Sequence, residues 1–375
     1  MNADLRVDGS ATVYRLHDIG YAVALDRAAD LLGPSTRGRV RPSRLEARAI
    51  QIRNPPLFVA LGSFEVKVAG RPCPATLSAH LFDFGVCSMH LRVEAAPGLS
   101  WPAFAAFASD LDASPDLSAI FDRELPVLLE RVAASVERLG VAPLSEEYKV
   151  YRIDRLESTA GGSPAPEVAE VLTEERLVAL LVGEQKRLSS ATRRELVPHR
   201  FSYYDDDLTV LTWESALVVE PRGDDHDVEY VLEFANAQLL ELRMYDQQLD
   251  AELPALYDRA EAVRSRRRLR LSGRFRSVLS DLHTRVADIT ETVERVENAL
   301  KVTNDVYLAR IYAAALELFR EQAWRRGIER KLEILRETYA MLNTEAQASR
   351  AELLEIIIVL LIVAELTLGV LRGTH

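Results

Sequence analysis

The chain is 375 residues long, 48% hydrophobic and 27% charged, which is ordinary globular usage with enough length for two or three cores. A net charge of -11 argues against a general nucleic-acid binder, because phosphate binding needs a basic surface, which here only a local patch supplies. The two cysteines, Cys73 and Cys87, exclude a disulfide framework and fit no zinc spacing, so both are expected as reduced thiols.

The first residues contain no apolar stretch of the kind that opens a secretory signal. Asp4 and Asp8 argue against a mitochondrial transit peptide. From residue 10 to about 157 the pattern is α+β. Strand-like residues fill 13–25, 58–68, 75–82 and 86–93, with Gly62, Gly70, Pro72, Pro74 and Gly85 between and within them. Helices are expected over 101–111 and 116–139, the second burying Leu117, Ile120, Leu125, Leu128 and Leu129 at helical spacing. A strand over 147–156 and a flexible Gly/Pro/Ser loop over 158–166 follow. A short helix over 174–186 then leads to strands over 201–204, 208–212 and 216–220.

Beyond Asp224 and Asp225 the hydrophobic period changes from two to about 3.6. Leu232, Ala235, Leu239, Leu242, Leu249, Leu253, Leu256, Ala260 and Val263 form a heptad seam if Asp246 fills one polar slot. A second seam runs Leu282, Val286, Ile289, Val293, Val296, Leu300. A third runs from Ile328 through Leu332, Leu335, Tyr339, Leu342 and Ala346 into the apolar tail without a break in phase. The tail, residues 353–371, is apolar apart from Glu355, Glu365 and Thr367. Nineteen helical residues rise roughly 28 Å, close to a hydrocarbon core of about 30 Å. The expectation is one C-terminal transmembrane helix, with Glu355 and Glu365 as intramembrane acids facing a partner.

Three groups of residues carry candidate chemistry. Asp205, Asp206 and Asp207 have the donors for a hard cation but no EF-hand spacing, and they read first as an acidic turn. Asp224, Asp225, His226 and Asp227 have metal-binding donors as well. They read first as the cap and favourable acids at the start of the long helix. Arg264, Arg266, Arg267, Arg268, Arg270, Arg274 and Arg276 put seven arginines in thirteen residues with no acid among them. Such a run fits phosphate, on RNA or on an anionic lipid headgroup, against the plain reading of a solvated face. No phosphate loop, dinucleotide fingerprint, G-x-S-x-G or H-E-x-x-H pattern is present, so no cofactor, no metal ligand and no catalytic residue is assigned.

Several stretches resemble the required-for-meiotic-nuclear-division family, also called domain of unknown function 155. Leu354-Glu355, nine apolar residues and Glu365-Leu366 are similar to its "LE…IIxLIxxE" signature. Residues 200–212 (RFSYYDDDLTVLT) resemble its "RYDD…L" strand. Residues 234–242 (FANAQLLEL) resemble its helix start, with Asn236 and Leu240 where the family has Ser. Residues 81–86 resemble its early strand, with Ser88-Met89 where Phe-Trp is usual. The resemblance implies a single-pass membrane protein, with eukaryotic members in mitochondria linked to support of translation, and it carries over no catalytic residue. The Ala/Arg/Leu-rich, Lys-poor composition is associated with a bacterial member.

The expected architecture is an α+β head domain (residues 1–157, completed by 158–227), a long helical hairpin or coiled-coil stalk (228–350) and one C-terminal transmembrane helix (353–371). The expected role is a non-enzymatic, membrane-anchored scaffold or tether whose head binds a protein partner. It would be tail-anchored in the inner membrane with its N-terminal bulk in the cytoplasm, and homo-oligomeric through the C-terminal helix. The alternatives are an RNA- or ribosome-associated factor using the arginine run and, further off, a metal-dependent hydrolase.

Overall fold

A computed structural model describes residues 5–33, 37–39, 51–52, 54–158, 167–184, 186, 188–221, 226–265, 300–301 and 306–373. In chain order the first elements are β1 (Leu5–Asp18), β2 (Ala22–Val23), α1 (Leu25–Leu32), β3 (Arg37–Arg39), β4 (Gln51–Ile52), β5 (Leu57–Val68), β6 (Arg71–Leu81) and β7 (Val86–Glu94). Then come β8 (Leu99–Ser100), α2 (Trp101–Asp112), α3 (Pro115–Val132), β9 (Val136–Glu137), β10 (Ser145–Ser158), α4 (Val168–Val171), α5 (Glu174–Leu181) and α6 (Ser190–Leu196). The last are β11 (His199–Phe201), β12 (Leu208–Leu211), β13 (Ser215–Val219), α7 (Asp227–Ser265), β14 (Leu300–Lys301), α8 (Val306–Leu318) and α9 (Glu321–Gly373). The chain divides into two compact units, Met1–Met244 with Arg295–Gln322, and Tyr245–Glu294 with Ala323–His375.

The first unit is a mixed α+β head built on one large sheet, ordered β11-β12-β13-β10-β1-β7-β6-β5-β3, with β8 also paired to β1. Its pairs are antiparallel except β10 with β13. Strand alternation sends Val7, Ala11, Val13, Leu77, Ala79, Met89, Leu91 and Ile153 into one core with α1, α2, α3 and α5. The opposite face carries Tyr14, Ser88, His90, Tyr148 and Arg152, which lie outside that cluster and are also buried. Residues 229–242 of α7 are buried without interruption over this second face. Phe234 meets the rings of Phe82, Phe84 and Tyr312, and Phe319 meets Tyr148 and Trp213.

Strand β6 begins four residues before the expected start at Ala75 and runs through Pro72 and Pro74. Among the described residues only β5 pairs with it there, since β7 joins from Ala75 onward, so the prolines sit where no described strand fills the other ladder side. The β6–β7 turn requires a glycine at position 85. Its φ is +99°, and a Cβ there would lie 1.9 Å from the carbonyl oxygen of Gly20.

At the end of β1 the Asp18 carboxylate accepts the Gly20 N–H at 3.0 Å. Burial pushes the Asp18 carboxyl up to about 6, against the lowering effect of that hydrogen bond. A raised folded value favours the neutral acid, so this group's stabilising contribution is complete below the unfolded value of about 3.9 and is lost as pH rises through 6. Asp18→Asn keeps an acceptor oxygen and removes the charge. It is expected to match the wild type near pH 4 and to gain on it by about 1–2 kcal/mol by pH 7, measured by denaturant unfolding at each pH.

In the second unit Leu249, Ile328, Leu332 and Leu335 are buried. The Lys331 ammonium bridges Asp246 at 2.7 Å and Asp250 at 2.6 Å.

Two expectations are corrected. The seam read as the first helix of a stalk is, up to Met244, part of the head: Leu232, Ala235, Leu239 and Leu242 are buried in the first unit. A heptad period marks a helix with a buried stripe but does not say what covers it. The second seam lies mostly outside the described residues. The other correction concerns the expected transmembrane helix at 353–371. Among the described residues no helix is long and apolar enough to cross a membrane. Where the side chains of α9 are described in this region, the uninterrupted apolar stretch is the nine residues 356–364, bounded by exposed Glu355 and Glu365. Nine helical residues rise about 14 Å, half the thickness of a hydrocarbon core. The tail-anchored, single-pass, inner-membrane placement and the membrane as partner lose their basis with it.

Candidate metal centre

Strands β6 and β7 are neighbours, and their register sets Ser78 against His90 and His80 against Ser88. These four side chains share the face that α7 covers, as does Tyr14, which pairs with His90 from β1. The His80 and His90 rings lie 4.3 Å apart between centroids. Above them α7 delivers Glu229 and Glu233, four residues apart and so on one helix face.

Glu233 is the centre of the group. Its carboxylate lies 2.8 and 3.0 Å from His80 Nδ1 and 2.6 Å from His90 Nε2. Its side chain is 2% exposed, against 12% and 9% for the two histidines, so the cluster is almost shut off from water. One ligand atom from each of the three falls within 4.8 Å of the others, which fits a metal ion. Burial would raise the Glu233 carboxyl, but His80 and His90 outweigh it and hold the group well below the usual carboxylate range. Burial pushes the His90 imidazole down, against the raising effect of Glu233. A neutral imidazole beside an ionised carboxylate is the protonation state that metal ligation needs.

Two buried hydroxyls beside the cluster have no hydrogen-bond partner among the described residues. One belongs to Ser88, across from His80. The other belongs to Tyr230, whose ring meets His80 edge-on at 6.1 Å. Burial pushes the Tyr230 phenol up, with the Glu233, Asp227 and Asp83 charges adding to it. Next along α7, Glu229 accepts from Arg152 Nη1 at 2.8 Å, and His226 Nδ1 lies 3.2 Å from the same oxygen. Burial raises the Glu229 carboxyl, and the His226 and Arg152 contacts bring it below its ordinary value. Arg152 is also paired with Asp154 at 2.8 Å.

The residues singled out in the sequence lie elsewhere or take other roles. Asp207 is buried and accepts the Tyr203 N–H at 2.8 Å, the Tyr204 N–H at 3.1 Å and the Ser202 hydroxyl. It locks the β11–β12 turn, which answers the turn reading of the three aspartates. Asp207→Ala is expected to cost about 1–2 kcal/mol in a urea melt, with no change in metal binding. Arg264 lies on α7, whereas Arg266, Arg267, Arg268, Arg270, Arg274 and Arg276 lie outside the described residues, as do Asp224 and Asp225. Cys73 and Cys87 are free thiols. Neither histidine of the cluster is conspicuous in the sequence, because 153 and 143 residues separate them from Glu233. The available signal is parity: His80 and His90 sit at even positions of two adjacent strands, and the odd positions are the apolar core.

The family described as Uncharacterized protein MJ0711, N-terminal domain, matches residues 8–226, more than half of the chain, and the chain belongs to that family. A protein of Methanocaldococcus jannaschii, described as Uncharacterized protein MJ0711, is 24% identical over 200 residues, covering 52% of this chain and 59% of that protein. The chain thus spans less than two thirds of that relative's length. No solved structure matches. The matched region includes His80 and His90 and ends one residue before α7, which brings Glu233.

Proposed function

We propose that this member of the MJ0711 N-terminal domain family is a non-enzymatic metal-binding protein, in which one first-row divalent ion fastens α7 to the central sheet. The observation that carries the reading is the convergence of His80 Nδ1, His90 Nε2 and a Glu233 oxygen within 4.8 Å. Two imidazoles and one carboxylate form a donor set suited to zinc and its first-row neighbours. The buried hydroxyls of Ser88 and Tyr230 add support, because unpartnered polar atoms in a core ask for an ion or a polar ligand beside them. With His90 Nε2 on the metal, its Nδ1–H donates to Ser78 Oγ, 3.5 Å away, and this fixes the tautomer from outside the ligand set. Side-chain exposures of 2–12% favour a structural ion over one that turns over substrate.

Dialysis against zinc, washing and elemental analysis test this. One equivalent should stay with the wild type and be lost from His90→Ala and Glu233→Gln. Equal zinc on all three proteins would reject the site.

The kinship with the required-for-meiotic-nuclear-division family belongs to the same proposal, resting on residues 200–212 and 234–242. A second reading rests on the arginine run, whose seven cations in thirteen residues reverse the sign of an acidic chain. Under it the protein contacts RNA phosphates, and binding would weaken steeply with salt.

A further inference from the structure

We infer that Tyr230 is the fourth ligand, its phenolate oxygen closing the coordination sphere begun by His80, His90 and Glu233. This rests on the metal-binding reading and completes it. Three protein ligands leave a first-row ion one position short of a closed tetrahedral site, and structural sites are closed. The position is filled either by water or by a fourth side chain, and water has little access to ligands that are 2–12% exposed.

Three observations point to Tyr230. Its residue is 7% exposed, yet its hydroxyl has no hydrogen-bond partner among the described residues. It precedes Glu233 by three residues on α7, so the two side chains share one helix face. Its ring stands perpendicular to the His80 ring at 6.1 Å between centroids. The other tyrosine of the cluster, Tyr14, lies across the sheet register from His90, with ring centroids 4.9 Å apart. It comes from the sheet rather than from the helix that carries Glu233, and its hydroxyl is not among the buried unpartnered atoms. On binding, the Tyr230 O–H bond breaks, its proton leaves to solvent, and an oxygen–metal bond forms with no change in oxidation state. The ion then holds two adjacent turns of α7 and two adjacent strands.

Copper(II) is the probe, because a copper-bound phenolate gives a visible charge-transfer band that imidazole and carboxylate ligands do not. One equivalent added to the wild-type full chain should produce the band. Tyr230→Phe should lose it while still binding copper, and Tyr14→Phe should keep it. Copper binding that depends on His90 and Glu233 but gives no band, or a band that survives Tyr230→Phe, would overturn the fourth-ligand assignment and leave the three-ligand site standing. No binding by a folded wild-type protein would overturn both.

Discussion

Replacing Arg152 with Met is expected to destabilise the head by about 3–5 kcal/mol, the usual penalty for removing one partner of a buried ion pair. Arg152 and Glu229 are 3% and 7% exposed at their side chains and meet at 2.8 Å, so neither has water to fall back on. Without the guanidinium, Glu229 keeps His226 as its neighbour but loses the cation that helps hold its carboxyl below the ordinary value against burial. For a unit of this size the melting temperature should fall by on the order of 10 °C. The double change Arg152→Met with Glu229→Leu should recover most of the loss, because apolar replacements of a buried pair are often neutral. A single variant within 1 kcal/mol of the wild type by chemical denaturation would mean that the pair is hydrated in solution.

The second large effect is stabilisation by the metal itself. An ion that binds the folded chain and not the unfolded one stabilises it by about 2.7 kcal/mol when present at 100 times its dissociation constant. Adding zinc should therefore raise the melting temperature of the wild type by several degrees, and a chelator should reverse the shift. Glu233→Gln should show no zinc-dependent rise, since the amide is a poor ligand and the site loses its central carboxylate. Asp207→Ala should show the full rise from a lower starting point, because its carboxylate is already taken up by the turn that it locks. The same zinc-dependent shift in Glu233→Gln would place the binding elsewhere in the chain.

Much of the sheet is legible from local chemistry. Strands β5, β7, β10, β12 and β13 fall within about two residues of their expected limits, because β-branched runs bounded by Gly, Pro or Asp leave little choice. Strand β1 starts eight residues before the expected Val13, at Leu5. In the fold Gly9 sits at a register shift against β10, where a Cβ would lie 2.2 Å from the Arg152 carbonyl oxygen.

The start of α7 is legible from the change of period after the acidic loop. Its environment is not. Glu229, Glu233 and Asn236 lie off the heptad seam, yet as whole residues they are only 5%, 3% and 2% exposed. A carboxylate is tolerated there only because His80, His90 and Arg152 arrive from strands more than seventy residues away in sequence. Pairings at that separation leave no local periodicity, so the cluster emerges only once the strand register is known.

X-ray absorption at the zinc edge of the zinc-loaded, washed protein reads the proposed ligand set at the ion itself. The spectrum should show two imidazole nitrogens at about 2.0–2.1 Å, with their outer-shell scattering, and oxygen completing a four-coordinate ion. An all-oxygen shell without imidazole scattering, or no zinc retained by the folded protein, would contradict it. His80 and His90 would then be two N–H donors to one buried carboxylate.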